Sequence, residues 1–83
     1  MKIINMHKND NEWIWYVNAE DVHFNIPQIS KTGLVMFSTN ANGDGVFVYD
    51  RYEISHQLAG TCQFSSCKTK SGMIRKVLKY LDY

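Results

Sequence analysis

Three stretches of this chain each hold an unbroken run of four or five apolar residues, and a single amphipathic helix accompanies them. They are "EWIWYVN" (12–18), "GLVMFST" (33–39) and "GVFVYDR" (45–51), rich in the aromatic and β-branched residues that suit strands. A sheet with one wet face should alternate apolar and polar residues along each strand. Here Trp13, Trp15 and Val17 point one way, while Ile14 and Tyr16 point the other. Val35, Phe37, Val46 and Val48 likewise share one face, and Leu34, Met36, Phe47 and Tyr49 share its reverse. Both faces are apolar.

The helix is predicted over "SGMIRKVLKYLDY" (71–83), with Ser71 as its N-cap. Met73, Ile74, Val77, Leu78 and Leu81 fall on one apolar stripe, with Arg75, Lys76 and Lys79 opposite. Such a helix is about 20 Å long and about 10 Å wide. Strands about 4.8 Å apart, taken four together, make a face of similar length and nearly twice the width. One helix therefore shelters most of one face only. The other face needs a cover of its own. Residues 19–32 could supply it, with Val22, Phe24, Ile26 and Ile29 as plugs; a second copy of the chain or a partner are the alternatives.

Elsewhere the reading is more local. "KIINM" (2–6) is a candidate first strand, and residues 52–64 alternate Tyr52, Ile54, His56 and Leu58 with polar neighbours, as a half-buried strand does. Ala59-Gly60 is placed to bend or bulge it. In residues 19–32, Pro27 restricts any strand to an edge, and a one-turn helix from Ala19 competes. The chain has 83 residues and shows no repeat, low-complexity tract or linker. The expectation is one α+β domain over residues 1–83, a mainly antiparallel sheet of about four or five strands with a C-terminal helix on one face.

The segment "STNANGDGVFVYD" (38–50) poses a choice between a calcium loop and a tight turn. A calcium-binding loop of the EF-hand kind closes with an acid at its twelfth position. Counted from Asn40, that position holds Arg51, and Asp44 is the one carboxylate of the first half. A hard divalent ion would find too few anionic oxygens there. Asn42-Gly43, by contrast, is a favoured hairpin pair because both turn positions need positive φ. It would set Phe37 opposite Val48 and Met36 opposite Tyr49; a turn at Asp44-Gly45 would shift the register by two.

The formal net charge is +1, which argues against a general nucleic-acid binder, yet the charge is unevenly spread. Asp10, Glu12, Glu20, Asp21, Asp44, Asp50 and Glu53 lie in a stretch whose cations are Lys31 and Arg51. Lys68, Lys70, Arg75, Lys76 and Lys79 follow one another with no acid between them. The N-terminal residues lack the apolar run of a secretion signal, and no stretch could span a bilayer, so a cytosolic location is expected, with Cys62 and Cys67 as thiols.

Catalysis has little to stand on. His7, His23 and His56 are scattered and match no hydrolase, nuclease or transferase motif. Cys62 and Cys67 with His56 make three potential zinc ligands without a second pair to complete a site. No cofactor, metal or membrane is therefore expected. The leading expectation is a non-enzymatic inhibitor or modulator, encoded by a phage or mobile element and acting on a host nuclease, nucleic-acid-binding complex or defence protein. Its acidic, aromatic surface would consist of Glu12, Trp13, Trp15, Glu20, Asp21, Asp44 and Asp50, complementary in charge to a nucleic-acid-facing groove. The alternative is a small nucleic-acid-binding module using Lys68, Lys70, Arg75, Lys76 and Lys79. A structural homodimer is the third reading.

Overall fold

Five strands follow one another in chain order across one sheet. The computed structural model describes residues 2–22, 33–39, 45–50, 53–59, 64 and 67–81. The strands are β1 (Ile3–Asn9), β2 (Glu12–Asn18), β3 (Leu34–Thr39), β4 (Val46–Asp50) and β5 (Glu53–Ala59). A single 3₁₀ turn, Ala19–Asp21, follows β2, and one helix, α1 (Lys70–Leu81), ends the described chain. The sheet order is β1-β2-β3-β4-β5, with every neighbouring pair antiparallel. This is the α+β architecture expected from the sequence.

Local chemistry accounts for most of the boundaries. β1 runs past the apolar "KIINM" to Asn9, because pairing with β2 carries its polar end along in register, Lys8 opposite Trp13 and Asn9 opposite Glu12. Between Ile4 and His7 the register shifts, and Asn5 there takes a φ of 54°. Asp10 in the β1–β2 turn has a φ of 55°; Asp and Asn tolerate this left-handed region better than other non-glycine residues. β3 and β4 pair with Phe37 opposite Val48 and Met36 opposite Tyr49, the register expected of a hairpin on the Asn42-Gly43 pair. Residues 40–44 themselves, the calcium-loop candidate included, lie outside the described residues. So do residues 23–32, apart from which the expected one-turn helix from Ala19 is present as the 3₁₀ turn.

Alternation along the strands sends one set of large side chains under α1. Trp13, Trp15, Val17, Val35, Phe37, Val46 and Val48 are all buried on this side, with Met6, Phe64 and the helix residues Met73, Val77 and Leu81. Trp15 stacks on Phe37 across the β2–β3 pair, ring centroids 5.6 Å apart and planes 15° from parallel. Phe64 meets Tyr80 edge-on at 6.0 Å. Each of the large aromatic residues contributes about 1.5–3 kcal/mol by leaving water, enough for a few of them to exceed a small domain's net stability. Leu78, expected on the buried stripe, is 37% exposed. It falls about 100° around the helix from Val77, at the margin of what one helix can press against a sheet.

The reverse face is different. Ile14, Tyr16, Met36, Phe47 and Tyr49 are half-buried and Leu34 is 57% exposed. Ser38 lies among them, fully buried, and its hydroxyl donates to the Tyr49 oxygen at 3.2 Å. Val22, expected as a plug for this face, packs instead against the helix-side core; Phe24, Ile26 and Ile29 lie outside the described residues.

Two polar details mark the core. Beyond the last β2–β3 pair, Ile14 and Ser38, the ladder has no carbonyl for the Trp13 amide, and the buried Thr39 hydroxyl accepts that bond at 2.9 Å. Among the described residues, the indole N–H groups of Trp13 and Trp15 are buried without an acceptor. Each such group costs about 1–3 kcal/mol of unrecovered hydration. Trp15→Ala should therefore lose about 3–5 kcal/mol. Trp15→Phe gives back the indole N–H penalty and should stay within about 1.5 kcal/mol of wild type. Urea denaturation of both variants checks this; a Trp15→Phe loss well above about 1.5 kcal/mol would show that removing the indole N–H regains too little to offset the lost ring volume.

Candidate functional site

The start of α1 is fixed by three residues that precede or open it. The Thr69 hydroxyl accepts the Gly72 amide at 3.2 Å and its carbonyl accepts the Met73 amide at 3.0 Å, so Thr69 is the N-cap. Ser71, the expected cap, is instead an exposed helical residue. Gly72 explains the difference. A Cβ at Gly72 would come within 3.0 Å of the Thr69 hydroxyl oxygen, so the missing side chain leaves the cap room to close. Capping two residues earlier than expected also brings Lys70 into the helix, two residues after Lys68. The Cys67 amide donates to the Phe64 carbonyl at 3.4 Å, which ties this junction back to the core.

With Met73, Val77 and Leu81 turned inward, the helical period places Arg75 and Lys79 about 160° away on the outer side, Lys76 being nearer the flank. Lys68, Lys70, Arg75 and Lys79 are exposed, and Lys76 is half-buried. The Lys79 ammonium lies 5.4 Å from the centroid of the Tyr80 ring. All five cations expected from the sequence thus belong to one helix and its lead-in.

A sixth joins them from the other end of the chain. Lys8 pairs with Trp13, so it faces the helix side, and its ammonium donates to the Cys67 carbonyl at 3.4 Å. The same ammonium sits over the Trp13 ring, 5.6 Å from its centroid. Lys8 is not among the cations the sequence singles out. Its signal was a basic residue at an inward position of an edge strand, where a lysine stem covers apolar surface and its head reaches water. The bulge at Asn5 obscures that parity when the strand is read as letters.

The acidic, aromatic surface does not assemble in this way. Trp13 is 3% exposed and Trp15 is 0% exposed, so neither can anchor a partner; both serve the core under α1. Alternation forces this, because the face carrying Val17, Val35, Phe37 and Val48 is the one the helix takes. Glu12 is half-buried at the hairpin end of β2, on the reverse face of the sheet. Glu20 is exposed and Asp21 half-buried in the 3₁₀ turn beyond the opposite end of that strand. The two sets are separated by the length of β2, about 20 Å at 3.3 Å per residue. Asp50 ends β4 opposite Glu53, and Asp44 lies outside the described residues.

Of the groups considered for chemistry, His7 is exposed with Nδ1 3.1 Å from the Asn5 carbonyl oxygen, and Cys67 is a free, buried thiol. Among the described residues no three His, Cys, Asp or Glu side chains gather in a group that could hold a metal ion. No helix there is long and apolar enough to cross a membrane. Compared with known proteins, the chain matches no family model, no curated protein and no solved structure.

The cap makes the first prediction on this site. Thr69→Ala should lower stability by about 1 kcal/mol, and Thr69→Ser should restore most of it. Thermal unfolding followed by circular dichroism would measure both, and an unchanged midpoint for Thr69→Ala would move the cap elsewhere.

Proposed function

We propose that this protein is a small non-enzymatic binding domain, working in the cytosol, that holds the phosphate backbone of a nucleic acid on the helix side of its sheet. One observation carries the reading: the cations of α1 and its lead-in lie on a single layer, and the fold adds Lys8 to them from strand β1. Lys68, Lys70, Arg75 and Lys79 are exposed, and exposed ammonium and guanidinium groups are what phosphate contact requires. The site has no strand-borne aromatic platform, because both tryptophans are inside. Contact is therefore with the backbone, and sequence preference should be slight.

Fluorescence anisotropy of labelled single-stranded and duplex oligonucleotides, titrated between about 50 and 200 mM salt, tests this. Binding should appear at the low end and weaken with a log–log slope of about −2 to −4, the size expected for about three to five neutralised phosphates. Reversing Lys70, Arg75 and Lys79 to Glu should abolish it while leaving the folded state intact, since all three are exposed. Absence of binding at the lowest salt would sink the reading.

A second reading rests on the reverse face. Tyr16, Met36, Phe47 and Tyr49 are half-exposed beside the exposed Leu34, and such side chains are enriched at protein interfaces. This face would serve a protein partner, as in an inhibitor of a host nucleic-acid-processing or defence protein, the role that small phage-encoded chains often fill. Glu12, Glu20 and Asp21 would then be rim residues steering encounter rather than anchors. Leu34→Asp should abolish stoichiometric capture of such a partner and leave oligonucleotide binding untouched. A homodimer through the same face would instead show in sedimentation and dissociate with that substitution.

A further inference from the structure

We infer that Lys8 is a phosphate-contacting residue of the helix-side surface, so that the site spans strand β1 and α1; this rests on the nucleic-acid reading above. Lys8 and Cys67 are 59 residues apart, and only the fold brings the ammonium to the peptide that leads into the helix. The side chain runs along the helix side of the sheet with Trp13 beneath it, which fixes where the ammonium ends up. An ammonium carries three N–H donors. One is given to the Cys67 carbonyl, and the residue as a whole is exposed, which leaves two donors for a ligand reaching it from solvent.

The position matters more than the extra charge. Lys68 follows the carbonyl that Lys8 binds, and Lys70 opens the helix two residues later. The Lys8 ammonium thus meets the chain one residue before Lys68 and three before Lys70, both exposed, although like charges repel. The repulsion is modest in water and is relieved by a phosphate oxygen shared among them. Asp10, in the turn that follows Asn9, is the acid of the adjoining hairpin nearest Lys8 in the chain. A lysine that merely covered Trp13 would need its methylene stem and not its charge.

The substitution that separates the two roles is Lys8→Met, which keeps the apolar stem and removes the ammonium. With thermal stability near wild type, Lys8→Met should flatten the salt slope by about 0.7–0.9, the share of one phosphate, and Lys8→Arg should restore it. Lys2→Met, at the far end of β1, is the control and should leave the slope unchanged. If the wild type binds and Lys8→Met keeps its slope, Lys8 is only a cover for Trp13 and the inference fails while the proposed function stands. If Lys2→Met flattens the slope equally, the effect is one of overall charge and the inference again fails. A wild type that does not bind overturns both.

Discussion

The packing of α1 onto the row formed by Trp13, Trp15, Val17 and Phe37 is the contact on which the rest of the molecule depends. Without it, the helix, only twelve residues long, would be marginal in water, and a single-layer sheet would expose two aromatic ribbons. With it, Met73, Val77 and Leu81 are buried, and helical geometry leaves no freedom about where the other residues point. The tryptophans bring a cost as well as a gain, since two indole N–H groups are buried without acceptors among the described residues. The area they remove from water outweighs that cost, because a buried tryptophan contributes more than one lost hydrogen bond takes away.

Once the stripe of the helix is fixed, so is the distribution of charge. Arg75 and Lys79 must lie outward because Met73, Val77 and Leu81 lie inward. The capping of α1 by Thr69, permitted by the bare Gly72, starts the helix early enough to place Lys70 within it. The Lys8 bond to the Cys67 carbonyl then secures the lead-in from the opposite side. Core packing, cap and surface charge are thus three consequences of one docking event, and the site inherits its rigidity from the core.

Much of this was legible from the letters. The strands at 12–18, 33–39 and 45–51, the β3–β4 register and the helix came from composition, alternation and the Asn42-Gly43 pair. So did the inference that one helix could shelter only one face. What alternation could not say was which face the helix would choose. Two chemically similar apolar faces differ by volume: one carries two indoles and a phenyl ring among valines, and the larger set was buried. Aromatic residues are common at interfaces, which suggests an outward place for those tryptophans, but that preference has no bearing on a residue a helix can cover. Lys8 is hard to read because the bulge at Asn5 hides its parity and its partner is a backbone carbonyl.

The formal charge of +1 is a poor guide to such a surface, and the reason is one of length scale. At physiological ionic strength an exposed charge is felt over about 8 Å. Glu20 and Asp21 lie a strand's length from the hairpin end, about 20 Å, and hardly reach the lead-in of the helix. Asp10 and Glu12 are closer and trim the potential where β1 meets the turn. The exposed cations Lys68, Lys70, Arg75 and Lys79 all belong to the helix and its lead-in and set the local field there. A polyanion approaching this protein would respond to that local field, and the acids that balance the total would act on it only weakly.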